Sequence, residues 1–305
     1  MYYSLSFLTG LIISVMITLN GLLTDQFGIY AATVIIHIAG FAVIAPIIII
    51  SGEKPFRGMQ KPYLYVGGLI GVFITVFNNV AFGRISVSAI MALGLFSQSA
   101  AGFIIDWRGS LGMKKIPFDK RKISGMSVIL CGIVAMLLIG QDGWLKLDGP
   151  KTAAVAASVA AGACVAVSRL YNAKLASLTS VKNSSFFNYL TGLALALPVF
   201  ILLGKNETPL AEINLTFADG YVFLGGVIGV ATIMLSNATV MKISAFYYTL
   251  LLFVGQVSAG MLIDLILAKK FSTGILAGGL LVASGMCLNL LFDRRPNLGR
   301  ALKSK

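Results

Sequence analysis

Ten long apolar runs constrain the fold of this chain more than any other feature of its sequence. They cover residues 4–23, 30–50, 63–82, 86–105, 123–139, 153–175, 184–203, 221–240, 244–267 and 274–292. A hydrocarbon core of about 30 Å requires about 20 apolar residues per helix, so each run is a candidate membrane-spanning helix. The alternating pattern of barrel strands is absent. The sequence therefore predicts an all-α membrane protein with ten transmembrane helices.

The composition excludes the main classes of soluble protein. Apolar residues make up 57% of the chain and charged residues 11%, and the mean hydropathy is +0.90. In a soluble domain about a quarter of the residues are charged. This composition therefore excludes a soluble enzyme, a disordered chain and a secreted disulfide scaffold. The three cysteines lie far apart inside apolar runs, a pattern that predicts neither a disulfide framework nor a metal site.

The lysines and arginines predict the orientation in the membrane. If the ten runs are spans, 18 of the 24 basic residues fall on the side that holds both termini. Short basic loops stay in the cytoplasm, so we expect a plasma (inner) membrane protein with both termini cytoplasmic. The loop at 107–122 and a basic tail at 294–305 could also contact anionic lipid head groups. The net charge of +13 thus reflects orientation, and no nucleic-acid partner is expected.

The two halves of the chain resemble each other. Residues 67–106 align without a gap with residues 225–264. Upstream, four residues recur at one offset: Gly10, Asn20, Gly40 and Pro46 align with Gly162, Asn172, Gly192 and Pro198. We infer a duplication, with one five-helix repeat at 1–143 and another at 144–293, and interpret the recurring asparagines as structural. Because five is odd, the second copy should enter the membrane from the opposite side, as in the inverted repeats of secondary transporters.

Two motifs in each repeat carry a family resemblance. The first is Gly-Gly-x-Ile-Gly, at residues 67–71 and 225–229. The second is a glutamine among small residues, Gln98 or Gln256, with an aspartate eight positions later, Asp106 or Asp264. Together they resemble the YdcZ-type family of inner-membrane exporters, in the drug/metabolite transporter superfamily, as two fused five-helix copies. The resemblance implies that fold and a transport function, but it transfers no site residue.

Polar residues at membrane depth supply the candidate binding site. Gln98 and Gln256 are each the thirteenth residue of their predicted span, and each therefore lies ~18 Å along a helix that rises 1.5 Å per residue. We predict that both line a central substrate cavity, with His37, Ser258 and Tyr189 as further substrate-binding candidates. The alternative for each glutamine is an interhelical hydrogen bond, worth about 0.6 kcal/mol on average.

Three ionisable residues are candidates for ion coupling. His37 lies within the second run, and an imidazole exchanges its proton near physiological pH; the alternative is a neutral histidine bonded to a neighbouring helix. Asp106 and Asp264 close the fourth and ninth runs, where an acid can couple to an ion or simply anchor or cap a helix. Arg169 either snorkels to the cytoplasmic face, which we prefer, or reaches an anionic substrate.

These features predict a secondary transporter that exports a small organic solute by alternating access. A monomer suffices for this, and a homo-oligomer is compatible with it. A membrane-embedded enzyme would need a cluster of acids or histidines facing one cavity. The chain has one histidine, and no predicted span holds two acids three or four residues apart. We therefore expect no catalytic residue, no cofactor and no metal. A passive channel and a structural membrane subunit are the alternative functions.

Overall fold

The computed structural model describes residues 2–108, 120–139, 148–207, 217–240, 245–268 and 273–303. In these ranges the chain forms ten α-helices and no strand. In chain order the helices are α1 (Tyr2–Phe27), α2 (Ile29–Ile50), α3 (Val66–Ala81), α4 (Val87–Arg108), α5 (Lys122–Leu138), α6 (Gly149–Leu178), α7 (Val181–Leu203), α8 (Leu224–Val240), α9 (Ala245–Ala268) and α10 (Thr273–Lys303). An all-α fold, as predicted, accounts for the described part of the chain.

The helix boundaries follow the predicted spans closely, with differences at a few ends. Turns of 3₁₀ helix, Pro62–Tyr65 and Phe217–Phe223, precede α3 and α8. Pro62 lacks an N–H group, so it suits the first turn of a helix better than its interior. At the other end of the chain, α10 continues to Lys303, so the basic segment predicted as a tail from residue 294 begins as helix. Most of the predicted basic loop, residues 109–119, lies outside the described residues.

Five of the helical segments are long and apolar enough to cross a membrane by length and composition. They are Tyr2–Phe27, Ile29–Ile50, Pro62–Ala81, Gly149–Leu178 and Val181–Leu203. In α4, α5, α8, α9 and α10 the described apolar stretch is shorter, between 10 and 17 residues. Helices of this kind satisfy their backbone groups internally, as a hydrocarbon environment requires.

The helix packing repeats when the first five helices are exchanged for the last five. α1 packs against α8 and α9, and α6 packs in the same way against α3 and α4. α3 packs against α7, and α8 packs equivalently against α2. Three helices pack on their own counterparts, in the pairs α2–α7, α4–α9 and α5–α10. The similarity between the two halves of the sequence therefore extends to the arrangement of their helices.

Glycines allow these helices to approach closely, at equivalent places in the two halves. An added Cβ at Gly162 in α6 would overlap the carbonyl oxygen of Gly94 in α4. An added Cβ at Gly10 in α1 would overlap the carbonyl oxygen of Leu252 in α9. Gly10 aligns with Gly162, and Leu252 aligns with Gly94, so the two contacts are counterparts. Contacts of small residues are the usual basis of close helix packing in membranes.

The α5–α10 pair is a seam of facing glycines. An added Cβ at Gly125 would meet the carbonyl oxygen of Gly285 at 2.7 Å, and one at Gly132 would meet that of Gly278 at 2.6 Å. The residue numbers rise along α5 while they fall along α10, so the two helices are antiparallel. The equivalent helices of the two halves therefore run in opposite directions at this seam.

Acids from one half cap helix ends of the other half. Glu207, just after α7, accepts hydrogen bonds from the backbone N–H groups of Tyr30 and Ala31 in the first turn of α2, both at 2.8 Å. At the opposite end of this pair, Ser180 caps α7 and donates its hydroxyl to Glu53, just after α2, at 2.5 Å. The pair α2–α7 is therefore antiparallel as well, with an acid at each end.

Replacing Gly132 by alanine tests the glycine seam. The new Cβ would lie 2.6 Å from a backbone oxygen and 2.7 Å from the backbone nitrogen of Val282. Because backbone atoms move aside at a cost, we expect the free energy of unfolding to fall by about 1–3 kcal/mol. The matched control is Gly102→Ala, where no described atom lies within 4 Å of the added Cβ. The control should be neutral or gain up to about 1 kcal/mol from helix propensity. Equal unfolding curves in detergent would contradict the seam.

Candidate solute cavity

A cavity of about 210 Å³ lies between the two halves of the chain. Its described lining comes from α1, α2, α3 and α4 of the first half and from α6, α7, α8 and α9 of the second, whereas α5 and α10 contribute no described lining residue. A single buried water needs only about 15 Å³. The cavity is therefore large enough to hold a small organic molecule.

The structure places four of the five predicted substrate-binding residues in this lining. They are Gln98, Gln256, His37 and Tyr189. Ser258 was expected with them but is absent from the described lining, and its side chain is only partly buried. It follows Gln256 by two positions, and residues two apart on a helix point in different directions. A contact between Ser258 and the solute stays a prediction.

The side-chain amides of the two cavity glutamines have no partner among the described residues. Gln256 is only 4% exposed, and its backbone carbonyl accepts a hydrogen bond from the hydroxyl of Ser14 in α1 at 2.7 Å. Neither this amide nor that of Gln98 forms a hydrogen bond with any group in the described part of the chain. A side-chain amide offers two donors and one acceptor oxygen. Both groups are therefore available to a polar solute in the cavity.

His37 and Tyr189 occupy equivalent positions of the two repeats and meet each other. Their ring centroids are 6.1 Å apart, in an edge-to-face arrangement. Each ring also fills the space left by a glycine of the opposite helix, the ring of Tyr189 at Gly40 and that of His37 at Gly192. The Nδ1 atom of His37 lies 2.8 Å from the carbonyl oxygen of Thr33. A carbonyl can only accept, so Nδ1 carries the proton and Nε2 has no proton when the ring is neutral.

A polar network on α6 and α7 was not recognised in the sequence. The amide nitrogen of Asn172 donates to the side-chain oxygen of Asn188 at 2.9 Å and to the hydroxyl of Ser168 at 3.3 Å. Ser168 in turn donates to the carbonyl oxygen of Gly67 at 2.9 Å. Ser168, Asn172 and Asn188 all line the cavity. The structural role expected for Asn172 is thus combined with a place in the cavity wall, and the spacing of Ser168 and Asn172 by one helical turn was the available signal.

Asn20 has a similar position in the first repeat but lacks such partners. Its side-chain oxygen packs where a Cβ of Gly225 would stand, as that of Asn172 packs at Gly67. This oxygen is buried and accepts no hydrogen bond from any described group. Asn20 also lines the cavity, so the same residue serves as a spacer between helices and as a part of the wall.

Arg169, for which the sequence favoured snorkelling, is among the described residues that line the cavity. Its guanidinium carbon lies 6.0 Å from the centroid of the Tyr248 ring in α9, within the range of a cation–π contact. α6 extends to Leu178, beyond the predicted end at residue 175, so Arg169 lies more than two turns inside the helix. No aspartate or glutamate is present among the described lining residues.

Asp264 caps a helix and does not face the cavity. Its carboxylate accepts hydrogen bonds from the N–H groups of Val87 (2.7 Å) and Ser88 (3.0 Å) at the start of α4, and from the Ser88 hydroxyl (2.5 Å). It is absent from the described lining. The geometry therefore favours capping over ion coupling. Asp106, the equivalent acid in α4, has a side chain that lies outside the described part of the structure.

The described helices form an all-α fold of the membrane-protein class around a central cavity, and the comparisons give the family. The model of one family matches the chain twice, at residues 1–135 and 153–288; its description is "Putative inner membrane exporter, YdcZ". The chain belongs to this family of inner-membrane exporters, with one match in each half.

A solved crystal structure also resembles this chain in fold. It is 18% identical, and the alignment covers 96% of this chain and 98% of that one with a TM-score of 0.64. At this identity the likeness concerns the fold alone. No curated protein sequence matches the chain.

Replacing Asp264 by asparagine tests whether this residue caps α4 or couples transport to an ion. The amide turns a donor toward the N–H groups of α4, so at least one hydrogen bond is lost. We expect the free energy of unfolding to fall by about 1–3 kcal/mol. The companion variant Ser88→Ala removes one of the three bonds and should cost less. Loss of ion-driven transport with an unchanged unfolding curve would instead identify Asp264 as a coupling residue.

Proposed function

We propose that the chain is a secondary transporter that exports a small organic solute by alternating access through the central cavity. The observation that carries this proposal is the position of the cavity, between the two halves that match the family model. Gln98 and Gln256 reach it from equivalent places, α4 and α9, and their amides have no described protein partner. In this proposal His37, Tyr189 and the two glutamines contact the solute, and His37 is the candidate for proton coupling.

The proposal includes ten membrane spans in two inverted repeats, residues 1–143 and 144–293. Its support is the antiparallel course of equivalent helices, as in the α2–α7 and α5–α10 pairs. Helices that are equivalent in sequence but opposite in direction are what a repeat with five spans requires. The shorter apolar stretches, such as that of α5, would span a thinner layer or be extended by interfacial residues.

Alternating access follows from two sets of equivalent contacts. α1 contacts α9 at Gly10, and α6 contacts α4 at the aligned Gly162. If one set loosens while the other tightens, the cavity opens to one side of the membrane; the reverse exchange opens it to the other side. Because the two sets are built from the same kinds of residue, the two states have similar energies, which a carrier needs. One chain supplies all the described lining, so a monomer suffices.

Filling the cavity should block transport without unfolding the protein. Gly71 lines the cavity, and no described atom lies within 4 Å of a Cβ added there. Leucine at this position therefore occupies solute space, whereas Gly102→Leu, equally unhindered but outside the lining, is the control. The readout is counterflow in proteoliposomes, using the radiolabelled compound that most raises the melting temperature in a screen of metabolites, amines and drugs. We expect trans-stimulated, saturable uptake in wild type and control, and none in Gly71→Leu.

That experiment also tests the alternative functions. Uptake that neither saturates nor responds to solute on the other side would indicate a passive channel and contradict alternating access. Full counterflow in Gly71→Leu would show that the solute does not use this cavity.

The basic side of the chain is proposed to face the cytoplasm, where its loops contact anionic lipid head groups. Because 18 of the 24 lysines and arginines would lie on the side of the termini, we expect both termini in the cytoplasm. A reporter that fluoresces only in the cytoplasm, fused after Lys305, should be bright. An expressed but dark fusion would show that the C-terminus lies on the other side and contradict the predicted orientation. The same reporter fused at the N-terminus is the control, because an odd number of spans would place the two termini on opposite sides.

A further inference from the structure

The charge of the cavity wall is unbalanced. Arg169 is the only described lining residue with a permanent charge, and no described lining residue is acidic. Its guanidinium lies over the face of the Tyr248 ring, which attracts a cation weakly but carries no negative charge. The described structure gives Arg169 no ion pair. A partly buried guanidinium without a counter-ion is costly, and an anionic ligand would remove that cost.

The duplication makes this imbalance visible, because it gives each lining position a counterpart. On the α6 and α7 side the wall holds polar residues where the α1 and α2 side holds apolar ones. The pairs are Ser168 with Met16, Arg169 with Ile17, and Asn188 with Ile36, all of which line the cavity. The repeat thus keeps its helix packing in both copies but differs between them in polarity at these three positions of the cavity wall.

Apolar lining residues of α1 and α4 lie next to the cation. Tyr248, whose ring the guanidinium covers, belongs to a buried cluster with Ile17, Ile90 and Met91. These three aliphatic residues also line the cavity. A ligand whose charged group reaches Arg169 therefore places the atoms next to that group against hydrocarbon. Burying the apolar surface of a ligand there is favourable.

We propose that the solute is a small organic monoanion, a carboxylate with an apolar body, whose carboxylate is bound by Arg169. This rests on the transport function proposed above and names its substrate class. One guanidinium balances one negative charge, and its planar donors match a carboxylate in a two-bond arrangement. The donors of Ser168 and Asn172 on the same helix are already bonded within the protein, so the guanidinium of Arg169 supplies the hydrogen bonds to the anion. The apolar body lies against Ile17 and Met91.

Binding of matched probes to the purified full-length protein tests the charge and the apolar body separately. Benzoate and benzamide have nearly the same shape and differ in charge, whereas acetate keeps the carboxylate and lacks the ring. By titration calorimetry, we expect benzoate to bind at least about tenfold more tightly than either of the others, since a charge-assisted pair contributes more than a neutral one. Benzylamine, the cationic analogue, should bind most weakly.

Variants on α6 assign the effect to one residue. Arg169→Gln should abolish the preference for benzoate over benzamide, and Arg169→Lys should retain part of it as a point charge. The matched control is Lys174→Gln, which removes a positive charge from the same helix at an exposed position outside the described lining. This control should bind benzoate as the wild type does. Circular dichroism and the melting temperature without ligand verify that each variant is folded.

The outcomes separate this inference from the proposed function. If benzoate does not bind to the wild type, binds no better than benzamide, or keeps its preference in folded Arg169→Gln, the anion site is wrong. If benzoate binds through Arg169 but shows no counterflow in proteoliposomes, the site stands and alternating access is wrong. If counterflow is found for an amine and not for benzoate, transport stands and the substrate class is overturned.

Discussion

The structure depends on backbone-to-backbone contact between helices of the two halves. Lipid does not drive helices together as water does, so close packing must supply the attraction. At Gly162 against Gly94, and at Gly132 against Gly278, there is no room for a Cβ. These contacts set the distance between α6 and α4 and between α5 and α10. With these pairs held this closely, the space that stays open lies where α1–α4 meet α6–α9, which supply its described lining.

The hydrogen bonds at the helix ends also depend on contact between the two halves. The first N–H groups of a helix have no partner in the helix itself, and leaving them unpaired away from water is costly. Glu207 satisfies two of them in α2, and Asp264 satisfies two in α4, each from the other half of the chain. Each half therefore completes the helices of the other, which explains why two copies of a five-helix unit form one folded body around one cavity.

The sequence predicted the helices well and the cavity in part. The apolar runs located all ten described helices. Recurrence at mid-helix positions pointed to Gln98 and Gln256, and an ionisable ring within an apolar run pointed to His37; all three line the cavity. Ser258 stays a prediction, since proximity along the chain does not fix the face of a helix. Ser168 was missed for a different reason. Whether a hydroxyl bonds its own helix, and whether a guanidinium turns inward, depends on neighbouring helices whose positions one sequence does not provide.

The contrast between symmetric packing and an asymmetric wall bears on how such a carrier could work. A change at a packing glycine would stabilise one set of contacts over its counterpart and favour one state. A change at Arg169 does not act on these contacts directly, because its described ring contact, Tyr248 in α9, belongs to its own half. Duplicated copies are therefore free to diverge where the solute binds while they stay alike where the helices meet. A solute with one charged end would then lie in a single orientation, with its charged group on α6, in both states of the transport cycle. Solute recognition and the balance between states would thus be set by different residues of the same helices.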